Sequence, residues 1–176
     1  PGKKYQLRIM MEKNAMEDEG LGFKIDTLID ETHQGNVKVW KIKHDGKRAV
    51  LKGILRSYLS TQSRVDHVFG ERKALEEFSH PGINKLIKSQ KDEKYIYMIL
   101  ELAYGCPLHK LLRCTLGLSP QFVKFIAVQL CLILDYIHGK GYVYRDLKAS
   151  NVIVNRDGRV KLVDFGFAKK LEKGRT

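Results

Sequence analysis

The sequence of 176 residues is 43% hydrophobic, enough to bury the core of one domain or of two small lobes, and it carries a formal net charge of +12. No continuous apolar run approaches the roughly 18 residues of a membrane span, and the first residues contain no signal-peptide core, so neither a membrane span nor a secretory leader is expected. The three cysteines, Cys106, Cys114 and Cys131, lack metal-ligand spacing and indicate reduced thiols of a cytoplasmic protein.

Residues 1–22 alternate basic side chains with methionines, which predicts either one amphipathic helix or a mobile leader. A first strand region follows, and the stretch Ile29–Val37 within it contains a single glycine, Gly35. The next strand, Arg48–Lys52, is apolar apart from its ends, and Lys52 stands out of the alternation.

A helix is predicted from Thr61 to Phe78, with Glu71 beside its apolar face. The apolar positions recur at helical spacing: Val65, Val68, Leu75 and Phe78. A lone lysine and a lone glutamate are usually solvated surface charges, so only their placement between the other motifs singles out Lys52 and Glu71.

The continuous apolar run Tyr95–Glu101 predicts a buried strand, and a turn at Gly105–Pro107 leads on to a long helix. Ser119 is expected to cap that helix, with Pro120 in its first turn, and Gly139 and Gly141 end it. One face is predicted to be structural core without chemistry: Val123, Ile126, Ala127, Leu130, Leu134 and Ile137.

The residues that carry chemistry lie in Tyr144–Asn151 and in Asp164–Gly166. Two carboxylates, a lysine and a carboxamide in these segments are the groups that a phosphoryl-transfer site needs. Such a site positions its reactants, stabilises charge and holds magnesium through hard oxygen ligands. Asn151 and Asp164 are the candidate magnesium ligands. Asp146 is suited to accept a hydrogen bond from a substrate hydroxyl and to orient it for in-line attack. Lys148, two residues on, is suited to neutralise charge that develops on the γ-phosphate.

The segment between these motifs predicts a hairpin, in which Val152–Val154 and Arg159–Val163 are joined by a turn at Asp157 and Gly158. Such a hairpin would bring Asn151 and Asp164 close together. The alternative is a solvent-facing turn whose Asp and Asn side chains only satisfy backbone groups.

Together these motifs resemble protein kinases, and three segments narrow the resemblance to AGC-type serine/threonine kinases, in particular the cyclic-nucleotide-dependent (cGMP-dependent) branch. The segments are Lys91–Met98, Tyr144–Lys148 and Leu162–Lys170, and the resemblance runs from about Phe23 to Thr176. It implies an α+β, protein kinase-like fold of two lobes. An antiparallel β-sheet N-lobe with one αC-type helix and the hinge would occupy residues 23–103, and the first part of a mainly helical C-lobe would occupy 104–176. Residues 1–22 would be an N-terminal extension or linker.

The resemblance also implies ATP and Mg²⁺ as cofactors and a protein hydroxyl as substrate. In kinases, the residue that corresponds to Lys52 contacts the α- and β-phosphates and pairs with a helix glutamate, here Glu71. The hinge, which binds adenine, would be Glu101 to Ala103. The remaining positions that the resemblance assigns to the nucleotide pocket are Gly35, Val37, Val50, Leu100 and Ile153.

The sequence departs from the family pattern in the nucleotide pocket. Asp30 and Thr32 occupy the first two glycine positions of the phosphate-covering loop, and Asp30 and Glu31 add negative charge near the nucleotide's own. Val50 replaces the usual Ala on the ceiling of the adenine pocket, where extra methyl groups typically cost roughly 1–3 kcal/mol. Both changes are expected to weaken ATP binding.

Two further departures concern the substrate and the lower lobe. Pro107 and Ser150 stand where relatives that prefer basic peptides carry glutamates, so an Arg-rich substrate is not expected. The sequence stops at Thr176, and the rest of the activation segment and lower lobe is absent. We expect a fragment whose long helix either exposes a large apolar patch or buries it against a protein partner.

Three hypotheses remain open from the sequence. The chain is the nucleotide-binding part of an active Ser/Thr kinase, a catalytically impaired pseudokinase fragment that acts as a scaffold binding module, or a basic nucleic-acid-binding protein. The third rests on charge alone, because no recognised nucleic-acid signature accompanies the lysines and arginines. Solvated surface charge is therefore expected, and an acidic partner surface, such as a cytoskeletal filament, remains an alternative.

Overall fold

The computed structural model describes residues 22–115 and 117–171. The helices are α1 (Gln62–Glu77), α2 (Leu108–Cys114) and α3 (Pro120–Gly139), with short 3-10 turns at His33–Gly35 and Arg56–Tyr58. The strands are β1 (Phe23–Thr32), β2 (Val37–His44), β3 (Lys47–Leu55), β4 (Leu86–Lys91), β5 (Tyr95–Glu101), β6 (Cys106–Pro107), β7 (Tyr142–Val143), β8 (Val152–Val154), β9 (Val160–Leu162) and β10 (Lys169–Lys170). The amphipathic helix or leader predicted for residues 1–22 lies outside the described residues, apart from Gly22.

The chain divides into two compact units, one containing 22–59 and 87–102 and the other containing 60–86 and 103–171 among the described residues. The first unit is built on a five-stranded sheet with the order β1-β2-β3-β5-β4. The pairings β1–β2, β2–β3 and β3–β5 are antiparallel. The strands predicted around Arg48–Lys52 and Tyr95–Glu101 are thus observed as β3 and β5.

Alternation along these strands separates a buried face from an exposed one. Trp40 and Ile42 of β2 are 4% and 1% exposed, whereas Lys41 and Lys43 between and after them are exposed. Successive side chains of a strand point to opposite faces, so the register fixes which side of the sheet is apolar. The buried cluster on the apolar side consists of Phe23, Ile25, Trp40, Ile42, Ala49, Leu51, Tyr97 and Ile99.

The second unit contains the three helices and two small sheets, β7–β10 and β6-β8-β9. Helix α1 agrees with the predicted helix to within one residue at each end, and it buries Glu71, Ala74 and Leu75. Strands β8 and β9 form the predicted hairpin. Its turn is closed by the Gly158 N–H, which donates to the Asn155 carbonyl at 3.0 Å, and Gly158 has a φ of 80°, a conformation that glycine adopts without strain.

Helix α3 begins as predicted, because the Ser119 side chain accepts a hydrogen bond from the Phe122 N–H and Pro120 occupies the first turn. The prediction of its buried face was partly wrong. The fully buried residues are Ile126, Ile133 and Ile137, while Val123 is 49% exposed. Ala127 is also exposed and Leu134 is only half-buried. The helix is apolar nearly all round, so the hydrophobic pattern alone did not determine which stripe packs inward.

The length and composition of α3 bear on the expectation that no segment crosses a membrane. This helix of 20 residues is long and apolar enough to do so by those two criteria alone. Core helices of soluble proteins, which are mostly buried, meet the same criteria; α3 has a buried stripe of three isoleucines, but only 17% of its most apolar stretch is buried. Helix α2 was not predicted, since its seven residues carry no side-chain cap and no long apolar period.

Candidate functional site

The loop before β8 holds Asp146, Lys148 and Asn151 in one hydrogen-bonded group. The Asn151 side-chain Nδ2 donates to the Asp146 carbonyl oxygen at 3.1 Å and to its carboxylate Oδ2 at 2.8 Å. Lys148 Nζ lies 2.9 Å from the same Oδ2. Asn151 is only 6% exposed, so its carboxamide is held in one orientation. In this orientation the amide nitrogen binds Asp146 and the side-chain carbonyl oxygen does not.

The β8–β9 hairpin brings Asn151 next to the segment that contains Asp164. Val152 pairs with Leu162, and the Val163 N–H donates to the Asn151 backbone carbonyl at 3.0 Å. Asp164 follows Val163 directly. The expected proximity of Asn151 and Asp164 therefore follows from the backbone register of the second unit.

The Asp164–Gly166 turn is a strained segment in which Asp164 has a φ of 62°. A residue other than glycine seldom adopts this conformation, and such outliers concentrate at functional sites. The Gly166 N–H donates to Asp164 Oδ1 at 3.5 Å. A Cβ atom built on Gly166 would lie 3.6 Å from Glu71 Oε2, which places the buried Glu71 carboxylate beside this turn.

The pKa of the buried Tyr144 phenol responds to the same carboxylates. Its ring is 1% exposed, and its hydroxyl donates to the Val163 carbonyl oxygen at 2.7 Å. Burial raises the pKa of the Tyr144 phenol above its usual value, and the charges of Asp164, Asp146 and Glu71 raise it further. Three carboxylates of the predicted site thus act on the phenol of one buried ring within the second unit.

Phe165 anchors the Asp164–Gly166 turn in an aromatic cluster. The ring is fully buried and makes edge-on contacts with Phe78, at 5.5 Å between centroids, and with Tyr144, at 5.0 Å. Edge-on aromatic pairs are favourable beyond their buried area. The cluster therefore fixes the turn from the side opposite its polar residues.

The other sequence-predicted residues are distributed between the two units. In the first unit, Lys52 and Val50 share one face of β3 and are half-buried, opposite Met98 and Leu100 of β5. Val37 and Leu100 are buried, and Glu101 is half-buried at the end of β5. In the second unit, Ala103 is half-buried after β5, and Ile153 is half-buried in β8, paired with Pro107 and Lys161.

The phosphate-loop candidate connects β1 and β2 through the turn His33–Gly35. Gly35 has a φ of 86°, and Gln34 has a φ of 57°, a conformation that is unfavourable for a side chain with a Cβ. The Glu31 carboxylate lies over Gly35. A Cβ atom added to Gly35 would be 2.7 Å from Glu31 Oε1. The space beside the glycine is therefore filled by a negative charge from the chain itself.

Sequence reasoning missed several polar residues around the site. Arg145 has a φ of 65°, and its side-chain Nε donates to the Phe167 carbonyl at 2.8 Å. Lys170 Nζ contacts both carboxylate oxygens of Glu77, at 2.7 and 3.0 Å, across 93 positions of sequence. The only signal for Arg145 was its place beside Asp146, and nothing local linked Glu77 with Lys170.

The Glu77–Lys170 pair changes the protonation of its surroundings. The Lys170 hydrogen bond, above all, lowers the pKa of Glu77 against the effect of burial. Burial, aided by Glu77, raises the pKa of Tyr142 to about 12. The Glu77 carboxylate is therefore charged at neutral pH, next to a neutral phenol.

A family model described as a protein kinase domain matches residues 23–176. The chain is 39% identical over 140 residues to cGMP-dependent protein kinase 2 of Rattus norvegicus, in an alignment that covers 80% of this chain and 18% of that protein. It is 35% identical over 137 residues to the cAMP-dependent protein kinase, catalytic subunit-like, of Caenorhabditis elegans, covering 78% of this chain and 34% of that protein. It is also 33% identical over 135 residues to cAMP-dependent protein kinase type 3 of Saccharomyces cerevisiae. The chain therefore corresponds to about a fifth to a third of the length of these relatives.

Proposed function

The chain belongs to the protein kinase family and is of the AGC type, and from this premise we propose that it carries the ATP-dependent phosphoryl-transfer machinery of a serine/threonine kinase. The observation that carries the proposal is the Asp146 carboxylate, which is held by both Asn151 and Lys148 on the loop beside Asp164. A protein hydroxyl is the proposed acceptor. We further propose a cytoplasmic location, which the free thiols of the three cysteines support.

The donor atoms of the second unit fit magnesium. Asn151 uses its amide nitrogen on Asp146, so its carbonyl oxygen is available as a hard ligand, and Asp164 supplies a carboxylate. Within the described residues no three His, Cys, Asp or Glu side chains cluster into a metal site. Mg²⁺ is commonly bound through one or two carboxylates together with substrate phosphates, so two protein ligands are sufficient. When bound, the metal would neutralise charge on the phosphates.

The role proposed for Asp146 is to orient the attacking hydroxyl. Its Oδ2 accepts hydrogen bonds from Asn151 and Lys148, which holds the carboxylate in one rotamer. Its other oxygen, Oδ1, accepts no hydrogen bond from the described residues and is the proposed acceptor for the hydroxyl proton. Lys148 is 52% exposed, so its ammonium can also approach a phosphate from the solvent side.

In the first unit, we assign Lys52 to the α- and β-phosphates, and Val37, Val50 and Leu100 to the walls around adenine. These roles follow from the family. They are supported by the position of Val50 and Lys52 on one face of β3, where they pair with Leu100 and Met98 of β5.

A thermal-shift measurement tests the proposal. Mg²⁺-ATP should raise the melting temperature of the chain, by an amount that grows with the ratio of ligand concentration to Kd. Asp164→Ala should abolish the rise. Asp157→Ala, which removes an exposed carboxylate from the hairpin turn, is the matched control and should retain it. A parent chain that does not respond to Mg²⁺-ATP would refute the nucleotide-binding proposal.

The second candidate function, a pseudokinase fragment that acts as a scaffold binding module, is favoured by the Glu31 carboxylate over Gly35. A carboxylate at that position repels the phosphates of ATP, and Asp30 and Thr32 beside it remove two flexible glycine positions. If charge is the obstacle, Glu31→Gln should tighten ATP binding more than adenosine binding. If the size of Val50 is the obstacle, Val50→Ala should tighten both ligands equally.

A further inference from the structure

Three basic side chains lie side by side across the first three strands of the sheet. Lys24 of β1 pairs directly with Lys43 of β2, and Lys43 pairs directly with Arg48 of β3. Directly paired residues of neighbouring strands point to the same face, and Lys41, two residues before Lys43, shares that face. All four side chains are exposed. We refer to Lys24, Lys41, Lys43 and Arg48 as the basic strip.

The fold fixes the basic strip on the face of the sheet opposite the apolar cluster, at the exposed end of the face that Val50 and Lys52 share. The neighbours of these residues along each strand, Ile25, Ile42 and Ala49, are buried in the apolar cluster on the other face. A register shift of one residue would bury the cations and expose that cluster. Lys47 also lies at the start of β3, but by alternation with Ala49 it belongs to the cluster's side of the sheet.

The charges of the basic strip are not compensated by the described part of the chain. Within residues 22–115 and 117–171, none of its four side chains forms a hydrogen bond or an ion pair. Two exposed carboxylates are near the strip in sequence: Asp26, at the bulge between Ile25 and Thr27, and Asp45, in the turn between β2 and β3. Like charges placed directly opposite each other on neighbouring strands destabilise a sheet. An anionic ligand would relieve this repulsion.

We propose that the basic strip binds an extended acidic protein segment. Neighbouring strands are about 4.8 Å apart, so the row from Lys24 to Arg48 is about 10 Å long. Lys41 and Lys43 are about 7 Å apart along β2, which matches the spacing of alternate carboxylates in an extended peptide. Complementary charge at this spacing steers the segment and sets its register.

The surroundings of the basic strip fit a peptide better than a nucleic acid or a membrane. Among the described residues of β1, β2 and β3, Ile29 is the one large hydrophobic side chain that is exposed. Single-stranded nucleic acids are bound by stacking on exposed aromatic rings, and interfacial membrane binding relies on apolar side chains that enter the lipid. The basic strip itself contains neither aromatic rings nor apolar side chains. Its small area suits a short chain segment.

The proposal is tested by fluorescence anisotropy with a dye-labelled peptide of alternating Glu and Ser residues. The parent chain should bind this peptide at low ionic strength and more weakly at about 0.15 M salt. The combined variant Lys24→Glu, Lys43→Glu and Arg48→Glu should weaken binding by about tenfold or more. Lys47→Glu, the same charge reversal on the opposite face, should leave the affinity within about twofold.

Circular dichroism of each variant, and the milder single variant Lys43→Gln, separate loss of binding from loss of folding. Lys43→Gln should weaken binding measurably while the spectrum stays that of the parent chain. The proposal is wrong if the parent chain fails to bind the peptide at low salt, or if Lys47→Glu weakens binding as much as the strip variants do. Tighter binding of duplex DNA or of phosphatidylserine vesicles under the same conditions would overturn the choice of a protein segment. None of these outcomes depends on nucleotide binding.

Discussion

Asn151→Asp is the substitution that most directly probes the Asp146 loop. It keeps the size and shape of the side chain but replaces the amide donor by a carboxylate. The new carboxylate would lie 2.8 Å from Asp146 Oδ2, where Nδ2 now donates a hydrogen bond. The second hydrogen bond, to the Asp146 carbonyl at 3.1 Å, would be lost as well.

The expected loss of stability follows from these two hydrogen bonds. A hydrogen bond to a charged group contributes about 1.5–3 kcal/mol and a neutral one about 0.5–1.5 kcal/mol. Because Asn151 is 6% exposed, solvent can screen only part of the new repulsion. We expect the free energy of unfolding to fall by about 3–5 kcal/mol. For a chain of this size, that lowers the melting temperature by roughly 6–20 °C.

Thermal unfolding followed by circular dichroism, repeated as the pH is lowered from 7, is the assay. One carboxyl of the variant should take up a proton in acid and regain a donor, so the difference from the parent chain should narrow as the pH falls. Asn155→Asp is the matched control, because Asn155 is exposed and its Oδ1 accepts a hydrogen bond from the Arg156 N–H that a carboxylate can also accept. An Asn151→Asp variant as stable as this control, or a difference that does not change with pH, would refute the reasoning.

Three further substitutions address the elements around the site. Phe165→Ala empties a fully buried aromatic position and should cost about 3–5 kcal/mol in urea unfolding; a loss below about 1 kcal/mol would contradict the close packing of that ring. Glu77→Gln removes the ion pair with Lys170 and should cost about 0.5–1 kcal/mol at pH 7. Because the pKa of Glu77 is lowered in the folded state, this difference should shrink as the pH falls below the ordinary pKa of a glutamate and through the lowered pKa of the folded state, and a constant difference would count against the pair. Gly105→Ala should destabilise the chain by about 1–3 kcal/mol in thermal unfolding, since Gly105 has a φ of 141° and an added Cβ would clash with the backbone carbonyl oxygen of Val154. Gly139→Ala, where a Cβ meets no atom within 4 Å, should instead be neutral or stabilising.

Local patterns predicted the parts of the fold that depend on short-range physics. The β8–β9 hairpin follows from two β-branched runs around Asp157 and Gly158, and it sets the proximity of Asn151 and Asp164 through the Val163 hydrogen bond. The start of α3 follows from the hydroxyl of Ser119 and the ring of Pro120. In each case one turn or one cap determines the geometry.

The features that sequence reasoning missed depend on which elements and side chains contact one another in the folded chain. The choice of Ile133 over Leu134 as the buried residue of α3 depends on the elements packed against that helix, because both positions are apolar. The Glu77–Lys170 pair joins residues 93 positions apart, and no period or motif connects them. The fold of the Glu31 side chain over Gly35 is a rotamer choice within the turn, so composition indicated extra negative charge there but not its location.

None of the departures from the family pattern falls on the residues that would act on the transferring group. Asp146, Lys148 and Asn151, which would act on the transferring group, retain both their residue types and a mutually hydrogen-bonded geometry. Glu31 and Val50, by contrast, are the residues that we propose affect the binding of the nucleotide. Since only interactions that are stronger in the transition state accelerate the chemical step, a carboxylate that repels ATP equally in the ground-state complex and in the transition state would weaken binding without altering the machinery that acts on the bound substrate. It follows that direct measurement of nucleotide affinity, rather than turnover at one ATP concentration, separates an active kinase of low affinity from a scaffold module.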